Sequence, residues 1–146
     1  LIKILEEPKG DTYKELLSLA MEVCDEFILV KREQISINES GQNLLTVLKP
    51  FLKEMKRQDN WPGTGLLGHY AEVYYFNCSD DLVETLTSKT EGLYSWMLPS
   101  LLEDICFFKN GSEWLVTISH EQMGWINTND KDDIIKLSKI NGLKIE

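Results

Sequence analysis

The segment 103–121, EDICFFKNGSEWLVTISHE, constrains the fold more than any other part of the chain. Two apolar runs, Ile105–Phe108 and Trp114–Ser119, flank Asn110-Gly111. A two-residue type I′ turn needs φ > 0 at both central positions, and Asn-Gly meets that need at little steric cost. The pair predicts a tight antiparallel hairpin over 105–118 and, with it, a sheet in the core. Such a turn also sets a register. Lys109 would face Ser112, Phe108 would face Glu113, Phe107 would face Trp114, and Cys106 would face Leu115. Phe107 and Trp114 become cross-strand neighbours, and Trp114, Val116 and Ile118 share one face by the two-residue period.

Other segments supply the remaining elements. Tyr13, Leu16, Leu17, Ala20 and Cys24 recur on one helical face behind Asp11, a good N-cap. Phe27–Val30 is a continuous apolar run, as in a strand buried on both faces. Leu44, Leu45, Leu48, Phe51, Leu52 and Met55 fit one face of a second helix, which Pro50 would kink or restart. Tyr70–Cys78 is rich in sheet-forming aromatics. Trp125-Ile126 can add a strand beside the hairpin, and Leu1–Glu6 can form another short one. Short helices are expected after Ser79 and from Asp130 to Ile140. The expectation is a single α+β domain over residues 1–146. Its mixed or mainly antiparallel sheet of about four to six strands would be packed by the amphipathic helices.

Charge narrows the partners. The chain carries a formal net charge of −9 over 146 residues. An acidic surface repels phosphate backbones and anionic lipid, so nucleic acid and membranes are not expected partners; a protein partner is, and the charge either solubilises the surface or suits a basic one. Cys24, Cys78 and Cys106 are odd in number, widely spaced and set in or beside apolar runs. They read as free thiols in a reducing compartment. No apolar run approaches the ~18 residues of a membrane span. The first residues, LIKILEEPKG, lack the apolar stretch of a signal peptide. A cytoplasmic location is expected; the oligomeric state is left open.

The motifs that carry chemistry are sparse. Gly63-Thr64-Gly65-Leu66-Leu67-Gly68 matches GxGxxG, but a dinucleotide site needs a strand before it and a helix after it. The context here is the reverse, which favours a structural glycine loop. His69 and His120 are the only histidines. His120-Glu121 lacks the second histidine of HExxH, since position 124 is Gly. Zinc held by His69, His120 and a cysteine would require the fold to gather them, and no metal or cofactor is expected. Cysteines buried in strands are usually inert, and no residue is assigned as catalytic. The adjacent carboxylates Glu103 and Asp104 should point to opposite faces of a strand. Glu103 and Glu121, however, lie at the open end of the hairpin, where they can converge with His120. His69, Glu103, His120 and Glu121 therefore form the candidate polar site. Trp61 before Pro62 and Trp96 before Pro99 lie in loops, where they form a candidate interaction surface or, as a structural alternative, cover the edge of the sheet. Lys49, Lys53, Lys56 and Arg57 make the main basic patch.

The order of segments WPGTGLLGHYAEVYYF, LYSWMLPSLLEDICFFKNG and WLVTISHE resembles a family of short soluble proteins of Gram-positive spore-formers. That family carries the label stage III sporulation protein AH, and the resemblance covers most of the chain. The membrane-anchored sporulation protein of that name has a transmembrane helix that this sequence does not show, so the label implies no sporulation role. The soluble group brings no catalytic residues to carry over. Two functional readings follow from the residues. One is a non-catalytic cytoplasmic protein-binding or regulatory domain. The other is a small enzyme or ligand-binding protein with a polar site near His69, His120 and Glu121.

Overall fold

A computed structural model describes all residues, 1–146. In chain order the elements are β1 (Ile2–Lys3), α1 (Gly10–Val23), β2 (Glu26–Arg32), α2 (Glu39–Leu48), β3 (Leu52–Gln58), β4 (Asn60–Trp61), β5 (Thr64–Gly65), β6 (Ala71–Asn77), α3 (Leu82–Thr87), β7 (Glu103–Lys109), β8 (Ser112–Ile118), β9 (Met123–Ile126) and α4 (Lys131–Ser138). Seven strands form one sheet in the order β1-β9-β8-β7-β2-β6-β3, and every neighbouring pair is antiparallel. The chain is one α+β domain. The seventh strand comes from β3, a segment whose apolar spacing fits a helix.

That correction has a local cause. The helix stops at Leu48 and a 3-10 turn, Lys49–Phe51, places Pro50 where its missing N–H costs nothing. Leu52 and Met55, expected inside a helix–core interface, instead sit on an open edge strand, 37% and 44% exposed. Lys53, Lys56 and Arg57 decorate the same edge, where charge discourages pairing with another chain. Each has a carboxylate partner: Glu26, Glu54 and Glu33 respectively. The basic patch is thus largely offset locally by acids. Asp11 is also displaced from its expected place, lying in the first turn of α1 while Lys9 occupies the N-cap.

All four helices lie against one face of the sheet. Phe27 and Leu29 of β2 point into that core with Leu16, Leu17 and Ala20 of α1, Leu44 and Leu48 of α2, Leu82 and Leu86 of α3, and Leu137 of α4. Ile28 and Val30 point the other way, into a smaller cluster with Val73, Cys106, Val116, Ala71 and Trp61. Trp61 arrives there on the small β4–β5 hairpin, the only element pair outside the main sheet. Gly63 makes the tight turn of that hairpin at φ +80°, and a Cβ on it would come 2.9 Å from Ile118 Cγ1. The GxGxxG letters therefore belong to a turn packed on the sheet, with no helix following.

The hairpin at 110–111 forms as its turn predicts. Asn110 and Gly111 have φ of +51° and +82°. The Asn110 N–H also donates to the Asp25 carboxylate at 2.8 Å. Lys109 faces Ser112 and Phe108 faces Glu113, as expected. The register then shifts, and Phe107 faces Leu115 rather than Trp114. This bulge places one extra residue on β8, so Trp114 and Leu115 both enter the helix-side core while Val116 turns to the opposite face. Trp114 and Val116 therefore do not share a face.

Candidate functional site

A second bulge builds the most unusual polar cluster in the molecule. Between β2 and β7, Ile28 pairs with Cys106 and Val30 pairs with Glu103, so β7 spends one residue more than β2 over the same span. Asp104 takes up the extra length at φ +55°, a left-handed conformation that Asp tolerates better than most residues. Regular alternation would send Glu103 and Asp104 to opposite faces. With the bulge, one carboxylate oxygen of each comes within 4.8 Å of the other and of a His120 imidazole nitrogen. Asp104 is not among the residues that the sequence points to. The only sequence signal for it is an aspartate at the start of a strand, which is too common to identify a bulge.

Both carboxylates are buried, Glu103 at 5% exposure and Asp104 at 0%. Asp104 accepts a hydrogen bond on each oxygen: Oδ2 from the Trp61 indole N–H at 3.0 Å and Oδ1 from the Ser119 amide at 2.8 Å. Glu103 Oε2 accepts from Arg32 Nε at 2.6 Å. The Arg32 guanidinium lies 5.2 Å from the centroid of the Trp61 ring. Trp61 is therefore held twice, by its N–H through Asp104 and by its face through Arg32. His120 rides on the 3-10 turn Ser119–Glu121 that follows β8. Its side chain is 49% exposed, and its Nε2 lies 3.9 Å from Glu121 Oε1.

Of the four expected site residues, Glu103 and His120 meet. Glu121 stays at the exposed rim beside His120, outside the three-residue cluster. His69 is exposed in the loop before β6 and also lies outside it. The two loop tryptophans correct another expectation: Trp61 is 5% exposed and Trp96 is fully buried. Trp96 is drawn into the helix-side core, where its indole N–H donates to Tyr13 Oη at 2.9 Å. Neither supplies an exposed aromatic surface. All three cysteines are free. Burial pushes the thiols of Cys24 and Cys106 far up and that of Cys78 to about 12, so none is an activated nucleophile at neutral pH.

Burial raises the Glu103 carboxyl above the usual carboxylate range, and the neighbouring Asp104 charge adds to this, against the pull of Arg32. A folded value above the unfolded one means that the ionised group opposes folding. Wild-type stability should therefore gain from Glu103 as pH falls through its raised value, with the gain complete below the unfolded carboxylate range. Glu103→Gln keeps an acceptor for Arg32 and should lack this gain. Urea melts of the two proteins from about pH 7 to about pH 4 isolate it as a difference between their stability curves.

Comparison of the chain with protein-family models, curated proteins and solved structures finds no match. No helix is long and apolar enough to cross a membrane.

Proposed function

We propose that this chain is a non-catalytic cytoplasmic binding domain of a Gram-positive bacterium. Its partner is a basic protein segment that docks on the helix-free face of the sheet, beside the 59–68 loop. The observation that carries this reading is the uneven covering of the sheet. Four helices close one face, whereas the other is roofed only by the Trp61 hairpin. Tyr75, Phe108 and Trp125 are left partly exposed on that open face. Leu67, on the loop leading away from the hairpin, is 97% exposed. Aromatic side chains with an apolar loop tip are the composition of an interface centre. The net charge of −9 favours a basic partner over an acidic one and speeds their encounter.

The test compares the wild-type chain with Leu67→Ser as baits for a lysate of a Gram-positive spore-former. Leu67 touches little, so the substitution should change stability by no more than about 0.5 kcal/mol. The expected result is a basic protein held by wild type, released as salt is raised to about 0.5 M, and lost with Leu67→Ser. Equal retention by both baits would remove this face from the interaction.

A further inference from the structure

We propose that Glu103, Asp104 and His120 bind a divalent transition-metal cation, and that Zn²⁺ is the ion best matched to these donors. One oxygen from each carboxylate and one imidazole nitrogen lie within 4.8 Å of one another. Ligands around a four-coordinate zinc stand on the order of 3.5 Å apart, given bonds of about 2.0–2.2 Å. His120 is half exposed, so its imidazole has room to turn toward the two carboxylates. Two oxygens and one imidazole suit zinc and its neighbours, whereas Mg²⁺ and Ca²⁺ prefer oxygen alone. Three protein ligands leave a fourth position on the solvent side of His120.

Two independent features point to a ligand at this spot. The first is unused polar capacity. Glu103 is 5% exposed, and its Oε1, which no protein donor reaches, is the part left open to solvent. The Ser119 hydroxyl, in the residue whose amide holds Asp104, is buried without a partner. The second is charge. Two buried carboxyl groups share one guanidinium: Arg32 pairs with Glu103, and Asp104 is held by N–H donors alone, with no cation of its own. The Trp61 and Ser119 N–H groups fix the orientation of Asp104 as outer partners do for a metal-binding carboxylate, and each oxygen keeps a free lone pair. A bound ion would tie the start of β7 to the turn after β8, and through Trp61 to the roof of the open face. This site stands apart from the partner reading and survives its failure.

Titration calorimetry of the full chain with ZnCl₂ should show one saturable site, and melting temperature should rise with Zn²⁺. His120→Ala removes a half-exposed ligand and should fold normally while binding at least about tenfold more weakly. Glu103→Gln should weaken binding as well, and His69→Ala should leave it unchanged. MgCl₂ at the same concentration should not compete. Absence of saturable binding would overturn the proposal. So would unchanged affinity in His120→Ala, or equal binding of Mg²⁺.

Discussion

Asp104→Ala is expected to lower stability by about 3–5 kcal/mol. Two hydrogen bonds to a charged acceptor are lost, at roughly 1.5–3 kcal/mol each, and the Trp61 indole and Ser119 amide are left buried without a partner. Alanine at φ +55° adds about 1–2 kcal/mol of backbone strain. Relief of the repulsion between Asp104 and Glu103 offsets part of this, which keeps the net loss below the simple sum. For a chain of this size the melting temperature should fall by about 10 °C. Asp104→Asn separates the causes. It tolerates the same backbone but offers one acceptor oxygen instead of two, so an amide group must face one of the two donors. An intermediate loss is expected. A double-mutant cycle with Trp61→Phe should show strong coupling, because both changes break the same bond. A loss under about 1 kcal/mol for Asp104→Ala would show that the Trp61 hairpin is not fastened at this residue.

That carboxylate shows where sequence patterning stops being sufficient. Asn110-Gly111 could be read because a type I′ turn is a local demand on two residues, and both adopt the positive φ required. Phe27–Val30 could be read because its apolarity is continuous, and the sheet does bury both faces of β2. The same run held a further signal. If both faces of the sheet are buried, something must cover the side away from the helices, and Trp61 was the large apolar residue left for that task. Its place in a loop before Pro62 leaves an exposed surface and a cover for the sheet equally open; what Ile28 and Val30 need decides for the cover. The two-residue period breaks at both bulges. At Glu113–Trp114 one extra residue moved Val116 to the other face. At Asp104 another extra residue brought two neighbouring carboxylates together. An inserted residue changes every facing relation beyond it, and nothing in the local composition announces it. The 44–55 segment failed for a different reason: its helical spacing continued past Pro50, but the backbone did not.

The second large effect concerns the opposite core. Trp114→Ala is expected to cost about 3–5 kcal/mol, the range for deleting a large buried aromatic side chain. Trp114 is 1% exposed, and its indole N–H donates to Asp133 Oδ2 at 3.0 Å. Lys109 Nζ and Thr128 Oγ1 donate to the same oxygen at 3.0 and 3.1 Å. Burial alone would push the Asp133 carboxyl up, but these three donors hold it below the usual carboxylate range. A folded value below the unfolded one contributes stability that is complete above the unfolded carboxylate range and is lost as pH falls through the folded value. Trp114→Phe divides the two contributions, since it keeps most of the ring and removes only the N–H. It should cost about 1–2 kcal/mol, and its acid unfolding should begin at a higher pH than that of wild type, because Asp133 keeps two donors instead of three. Chemical denaturation of both variants at neutral pH, followed by acid titration of the phenylalanine variant, measures each part. If Trp114→Ala changed stability by less than about 1 kcal/mol, the bulge that turns Trp114 and Leu115 into one core would be wrong, and with it the register of β8.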